Sequence, residues 1–425
     1  MGIAVLLASW SFLPVASAVA SGLESSGIGA RGRAMGYAMV AVADDWTAIQ
    51  YNPAGLVQIE GRRFGFTYEF FHGSMACTAS LRNLAVGANP ARGDFVDPIG
   101  DEPMSFSEDA IAATIHSGTL GYVANWGTLS FGAGLYGSGS GTGWEDQTLT
   151  GGDLIDAEIA FTNASVTVPI ALAYKATPDL SLGLTLNIRY GLLTVDINKY
   201  RSGAVPYTMA TAQDTKGIGV SADLGGLWKI GDRLALGVVL KLPYTLEKSG
   251  ETTTEFSPLP HDATDTTVEE SYPLRLAFGC AYRPDDRSLL AFSMMWLNWS
   301  AYNMKIEYSP EKPLIGLVNT SGNPADWHDT VVVGLGYERE LSGPWTLRCG
   351  LTYDQAPEPR SARTLVGGQV VDSWKFSVGG GVRWERTMLD FGYTLTHGPE
   401  VEGFIPGAQY GMTLHELYVG IERKL

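Results

Sequence analysis

The sequence predicts an all-β fold, a transmembrane antiparallel β-barrel of about fourteen strands. Three observations predict it. No window of the 425 residues reaches the roughly 18 consecutive apolar residues that a membrane helix needs. Segment after segment alternates apolar and polar residues with period two, as a strand does when one face lies in an apolar medium. The connections between these segments alternate between tight turns and long polar stretches, the asymmetry of an outer-membrane barrel.

The clearest strand carries Leu180, Leu182, Leu184, Leu186, Ile188, Tyr190 and Leu192 on one face. Ser181, Gly183, Thr185, Asn187, Arg189 and Gly191 make the other. The same pattern returns in Leu234–Tyr244, Val166–Tyr174, Leu274–Tyr282 and Trp345–Tyr353, and several of these faces end in Tyr or Trp. Amphipathic rings are most stable at the boundary between hydrocarbon and water, so such ends mark a lipid-facing band. Strands are expected to begin near Arg62, Gly118, Thr128, Ile159, Asp179, Thr215, Asp232, Ser271, Arg287, Asp326, Pro344, Asp372, Arg386 and Leu414. Tight turns fall at Trp126–Thr128, Thr177–Asp179, Ile230–Asp232, Pro284–Asp286, Ser342–Pro344 and Glu385–Arg386. Long external loops are expected at 88–117, 138–158, 198–214, 248–270, 309–325, 356–371 and 398–413.

Residues 1–20 read as an export signal: an apolar stretch from Ile3 to Leu13 precedes two small-x-small sites, ending at Ala18 and Ala20. No Lys or Arg precedes the stretch, a departure from the usual positive start, and a buried N-terminal helix is the alternative. Residues 21–61 lack clean alternation and hold Gly22, Gly27, Gly29, Gly32 and Gly36. They are a periplasmic extension or a plug folded into the lumen. Residues 62–425 form the barrel.

The net charge of −16 argues against a nucleic-acid partner, whose phosphates would be repelled. Three distant cysteines, Cys77, Cys280 and Cys349, predict no disulfide framework. The six histidines are scattered and form no ligand pair, so neither a metal nor a cofactor is expected, and the chain is not read as an enzyme. Lys175, Arg189, Asp223, Arg233, Lys241, Arg275, Glu338, Arg348, Asp354, Lys375, Arg383 and Asp390 lie on the non-lipid face. Most are expected to salt-bridge inside the lumen. Arg189, Arg275 and Arg348 are also candidates to hold a ligand carboxylate through bidentate bonds. Gly132, Gly134 and Gly137 fall in the third strand, where glycine weakens the ladder, so they mark either a gap in the wall or the start of a flexible loop.

Ser26-Gly27-Ile28-Gly29, Gly32-Arg33-Ala34, Ala43-Asp44-Asp45 and Asn52-Pro53-Ala54-Gly55-Leu56 resemble the N-terminal signature of the FadL family of outer-membrane long-chain fatty-acid and aromatic hydrocarbon transporters. Ser271–Pro284 with Trp299, Trp327–Thr330 and Thr346–Pro357 resemble its later segments. The resemblance implies a fourteen-stranded barrel in the bacterial outer membrane, plugged by residues 21–61 as a hatch. It implies passive transport of a fatty acid or other hydrophobic small molecule, released sideways at the third strand. Gly32, Asp44, Asp45, Asn52, Pro53 and Ala54 would structure the hatch, and Gly132, Gly134 and Gly137 would form the opening. The partners implied are the hydrophobic ligand, outer-membrane lipid and lipopolysaccharide, and the barrel-insertion machinery, with the chain monomeric. The family usually ends in an aromatic residue, whereas this chain ends Arg423-Lys424-Leu425 behind the intact alternation Leu417, Val419, Ile421. The alternative is a non-transporting outer-membrane barrel, a secretion shuttle or scaffold, since such proteins share the Ala-Asp-Asp and Asn-Pro-Ala-Gly elements.

Overall fold

In the computed structural model the described residues are 27–80, 105–150, 153–201, 207–256, 261–312, 317–323, 326–359, 371–402 and 409–425. The export signal and residues 21–26 of the expected hatch lie outside them. Six unbroken strands come first: β1 (Arg62–Ser80), β2 (Ser105–Asn125), β3 (Leu129–Thr150), β4 (Asp153–Lys175), β5 (Leu180–Arg201) and β6 (Tyr207–Ile230). The next four staves of the barrel are each made of two segments. These are β7 (Leu234–Lys241) with β8 (Tyr244–Phe256), β9 (Asp262–Tyr272) with β10 (Arg275–Asp285), β11 (Ser288–Leu297) with β12 (Asn303–Ser309), and β13 (Thr320–Gly322) with β14 (Thr330–Glu340). Then follow β15 (Trp345–Asp354), β16 (Ser373–Trp384), β17 (Thr387–Glu402) and β18 (Gln409–Lys424).

All neighbours are antiparallel, and β1 pairs with β18 from Arg63↔Lys424 to Thr78↔Gln409, which closes a barrel of fourteen staves. Closure leaves no lateral edge between the first and last strands, so the backbone groups there are satisfied within the sheet, as hydrocarbon demands. The expected alternation is seen directly. Leu182, Leu184, Leu186, Ile188 and Tyr190 are exposed, while Ser181, Thr185, Asn187 and Arg189 are buried. Trp126, Tyr174, Trp228, Trp345 and Trp384 are exposed close to the short turns, forming a girdle at that end. Each outward leucine would lose about 1.5–3 kcal/mol by facing water rather than an apolar medium, so a sleeve of this kind requires lipid.

The tight turns stand where the sequence places them. Most of the long loops do not. The stretches expected as loops at 88–117, 138–158, 198–214, 248–270 and 398–413 contain strand: β2 begins at Ser105, β3 runs to Thr150, β4 starts at Asp153, β8 reaches Phe256 and β17 reaches Glu402. Above the membrane both faces of a strand meet polar surroundings, so the period-two signal disappears although the backbone ladder continues.

The lumen is filled by residues 27–61. Two short helices, α1 (Ala30–Ala34) and α2 (Ala48–Tyr51), and a 3₁₀ turn at Pro53–Gln58 make up this segment. Its apolar side chains, among them Met35, Met39, Trp46, Ile49, Leu56 and Ile59, form one buried cluster with wall residues Val123, Tyr136, Ala171 and Leu289. The core of the protein therefore sits between segment and wall, as in no open pore.

Candidate functional site

The hatch is fixed by its own sequence first. Asn52 is fully buried, in extended conformation, and its Oδ1 accepts from the backbone N–H of Ala54 at 3.1 Å, capping the 3₁₀ turn. Pro53 opens that turn, where its missing N–H is no loss. The Asn52 Nδ2 donates to the carbonyls of Val40 at 2.8 Å and Gly226 at 3.0 Å, so one amide joins two parts of the hatch to β6. Asp45 accepts from both the backbone and hydroxyl of Thr47. Gly32 is needed because a Cβ there would lie 2.5 Å from the Tyr51 hydroxyl.

The wall is shaped to receive this backbone. At Gly183 a Cβ would come within 2.3 Å of the Ala54 nitrogen, at Gly237 within 2.3 Å of the Val40 oxygen, and at Gly350 within 2.1 Å of the Gly36 nitrogen. Thr352 and Thr185 donate to the hatch carbonyls of Gly36 and Ile49 at 2.8 and 3.1 Å. Glycine and short hydroxyl residues on the inner face thus allow main chain to pack on main chain.

At the short-turn end, the periplasmic end of such a barrel, an ionic network locks the hatch. Arg31 bonds Asp44, Asp45 and Glu338, the last through two hydrogen bonds of 2.8 and 2.9 Å. Glu338 also accepts from Arg348 at 2.6 Å, and Arg348 reaches Asp390 at 2.6 Å. Arg33 is held by Glu69 and Glu416 at 2.8 and 2.9 Å. Burial opposes the charge of Arg31 and Arg33. The carboxylates outweigh it and hold both guanidinium groups above the usual arginine range. A charged cavity of about 450 Å³ opens below this network, with Arg31, Asp44, Glu338, Arg348 and Asp390 in its lining.

On the other side of the hatch, the Lys241 ammonium donates to Asp223 and to the carbonyl of Gln50, at 2.9 and 3.0 Å. Arg275 is buried beside it, against a space of about 50 Å³ next to Tyr37, Gln50 and Tyr51. Arg189 is buried, donates to the hydroxyls of Thr167 and Ser221, and lies 4.7 Å over the Tyr244 ring. Further outward, Tyr244, Tyr272, Trp299, Tyr302 and Trp327 pack as one aromatic cluster around Glu270, which accepts from Tyr272, Tyr302, Asn163 and Lys248.

The wall is interrupted at the third stave. Among the described residues β2 and β3 pair only from Asn125↔Ser130 to Leu120↔Leu135, although β2 continues outward against β1, and β3 against β4 as far as Thr150↔Asp153. The break coincides with Gly134. The β3–β4 ladder skips between Ala133↔Ile170 and Tyr136↔Thr167, and Pro169, which has no N–H to give, stands against Gly134. The hydroxyls of Ser117 and Thr119, buried on the loosened part of β2, have no protein partner.

The family model described as outer membrane protein transport protein (OMPP1/FadL/TodX) matches residues 9–404. The chain belongs to this family. Solved structures similar to this family member include a Pseudomonas aeruginosa FadL homologue (TM-score 0.70, 15% identity, 95% of this chain and 99% of that one covered). Others are the Pseudomonas putida toluene transporter TodX (0.67, 15%, 96% and 100%) and the Ralstonia pickettii toluene transporter TbuX (0.65, 16%, 94% and 98%). At these identities the likeness is one of fold. A comparison with curated proteins gave no match. The family places the chain in the outer membrane as a transport barrel.

The structure gathers Gly32, Asp44, Asp45, Asn52, Pro53 and Ala54 within the hatch. It places Gly132 against Ile49 and Leu56 of the hatch and Gly134 at the wall break, with Gly137 just beyond it. It separates the three arginines. Arg189 and Arg275 lie on the outer side of the hatch, whereas Arg348 lies on the periplasmic side, occupied by Glu338 and Asp390. The expected lumen salt bridges form at Lys241–Asp223, Arg348–Glu338 and Lys375–Asp354. Lys175 and Arg233 are instead exposed at the turns. Sequence reasoning missed Arg31 and Glu69 as latch residues. The one signal was for Arg31, a second arginine two residues before the Arg33 of the family signature; nothing local marks Glu69 within β1.

Proposed function

We propose that this protein carries hydrophobic small molecules passively across the outer membrane, with residues 21–61 as a hatch and release sideways between β2 and β3. One observation carries the reading: the lumen is filled by an apolar-cored segment while the ladder between β2 and β3 stops at Leu120↔Leu135. A filled lumen is unsuited to a water-soluble solute. A gap in the wall beside an apolar cluster gives a hydrophobic solute a path that avoids bulk water. The related structures named as toluene transporters support a hydrophobic cargo, and no observation favours a scaffold.

Gly134 and Gly137 form the hinge of the opening, and Gly132 lets the hatch approach it. Arg189 and Arg275, buried on the outer side of the hatch, are the partners for a cargo carboxylate, and Arg348 belongs to the latch. The space of about 50 Å³ beside Arg275 is smaller than any such cargo, so the hatch or the side chains above it must shift when cargo binds. The test is uptake of oleate and of toluene by cells lacking their own transporter of this type, with the full chain and with residues 21–61 deleted. Uptake of neither compound class by the full chain rejects the transport reading. A deletion that alters neither uptake nor leak rejects the hatch.

A further inference from the structure

A second discontinuity lies across the wall from the first. β7 and β10 pair from Leu234↔Tyr282 to Lys241↔Arg275, and β8 and β9 resume at Tyr244↔Tyr272 in the same register. The two residues skipped on each side put Pro243 opposite Pro273. Neither proline has an N–H, so no ladder can close there. The next stave breaks at the same level, where Asn298 and the 3₁₀ turn Trp299–Ala301 separate β11 from β12. The seam between the β7–β8 and β9–β10 staves is therefore open at this height, while the N–H groups of Leu242 and Asn298 still donate to Ala222 and Leu274 on either side of it, at 2.9 and 3.1 Å.

Outside this break lies a crevice of about 280 Å³, lined by Pro243, Thr245, Ser271, Pro273, Leu274 and Asn298. It sits where the outward faces of these staves change from apolar (Leu276, Phe278, Val238) to polar (Thr245, Glu247, Glu269), the level of the outer headgroups. Inside it lies the aromatic cluster. Among the described residues the rings that border both are Tyr244 and Tyr272, directly paired across the strands and stacked at 4.6 Å with 2° between planes. Behind them the indole N–H groups of Trp299 and Trp327 are buried with no hydrogen-bond partner. Buried donors are nearly always satisfied, so two orphans in one cluster point to an absent acceptor. Beyond Tyr244 stands Arg189, over its other side.

We propose that this crevice is a second opening in the wall, with the Tyr244–Tyr272 stack as its shutter. Through it an amphipathic hydrophobic molecule dissolved in the outer leaflet, bearing a hydrogen-bond acceptor such as a carboxyl or carbonyl, reaches the Trp299–Trp327 cluster. The inference rests on the transport reading for its cargo. The crevice suits such a molecule: Thr245, Ser271 and Asn298 meet its polar end at headgroup depth, and the rings behind take its apolar body. Rotation of two tyrosine side chains opens the way with no strand displaced, because the ladder is already absent at Pro243 and Pro273.

The test uses the full chain, with Cys77, Cys280 and Cys349 replaced by alanine, in phosphatidylethanolamine and phosphatidylglycerol vesicles. Dibromostearate is supplied either within the membrane or from water, and tryptophan quenching is followed in time. Trp299→Phe and Trp327→Phe identify the part of the signal that belongs to the cluster. Quenching of that part by membrane-dissolved probe is expected to quicken several-fold in Tyr244→Ala/Tyr272→Ala, and to slow several-fold when Ser271→Cys is blocked by a bulky maleimide. The labelled single variant keeps the test intact if the double variant fails to fold. If the cluster is quenched at a rate that neither change alters, or by aqueous probe alone, the second opening is overturned and transport stands. If the cluster is quenched from neither side while oleate uptake persists, the cluster is not a cargo site and the opening is again overturned.

Discussion

The side-chain amide of Asn52 donates to the main-chain carbonyl of Gly226, 174 residues away, at 3.0 Å. That contact is the centre of a three-bond knot, with Val40 and Ala54 as the other partners, and it fastens the hatch to the sixth stave. Gly225, next to Gly226, has to be glycine for this approach, since a Cβ there would lie 2.3 Å from the Asn52 Oδ1.

Replacing Asn52 with Ala leaves buried carbonyls at Val40 and Gly226 without their donor. The expected loss is about 1–3 kcal/mol of hatch attachment, the usual range for stranding buried polar groups. Asn52→Asp should be at least as damaging, because it keeps the acceptor for Ala54 and turns both donor contacts into repulsions. Single-channel conductance in a planar bilayer reads the result. Both variants should show more frequent open events than the parent protein.

Glu338 is the hinge pin of the periplasmic latch, accepting from both Arg31 of the hatch and Arg348 of the wall. Glu338→Ala takes one carboxylate from the buried Arg348, which keeps Asp390, and from the part-buried Arg31, which keeps Asp44 and Asp45, so the expected cost is about 1.5–3 kcal/mol, the range for hydrogen bonds to a charged group. Leak of a small hydrophilic dye from vesicles should rise. Glu338→Asp, which keeps the charge but shortens the reach, should fall between the two, and equal leak in all three proteins would show that the latch does not hold the hatch.

Much of this architecture was legible in the sequence, for identifiable reasons. Leu180 to Leu192 alternates because one face meets lipid, so the wall announces itself residue by residue. The outward part of β8, residues 248–256, is almost all Thr, Ser, Gly, Lys and Glu, so it carries no such signal and reads as a loop. The hatch residues Asn52 and Pro53 were legible through the family signature. The wall partners of the hatch were not, because Gly226 meets Asn52 and Glu338 meets Arg31 only through the closed barrel. Pro243 and Pro273 stood in plain view, yet their meaning depends on facing each other, which only the strand register reveals.

Arg189 offers a way to separate cargo classes. It is buried, bonded to hydroxyls at Thr167 and Ser221, and lies over the Tyr244 ring. In Arg189→Gln, oleate uptake is expected to fall at least roughly tenfold, since tenfold is about 1.4 kcal/mol and one hydrogen bond to a charged group contributes about 1.5–3 kcal/mol. Uptake of toluene, which has no carboxylate, should change little. A parallel fall for both compounds would assign Arg189 to the wall rather than to the cargo.

Closing the wall between β2 and β3 tests the exit itself. The register that ends at Leu120↔Leu135 would, if continued outward, bring Thr119 opposite Tyr136. Cysteines at these two positions, in a background without the native thiols, should form a disulfide if the strands can approach to the roughly 5.5–6 Å Cα separation that the bond requires. The crosslink would staple the edge of β2, whose Ser117 and Thr119 hydroxyls have no partner, to β3 just above Gly134. Oxidised protein is expected to lose most uptake and reduced protein to regain it, measured on the same vesicles before and after reductant. Crosslinked protein that transports as fast as the reduced form would move the exit away from this gap.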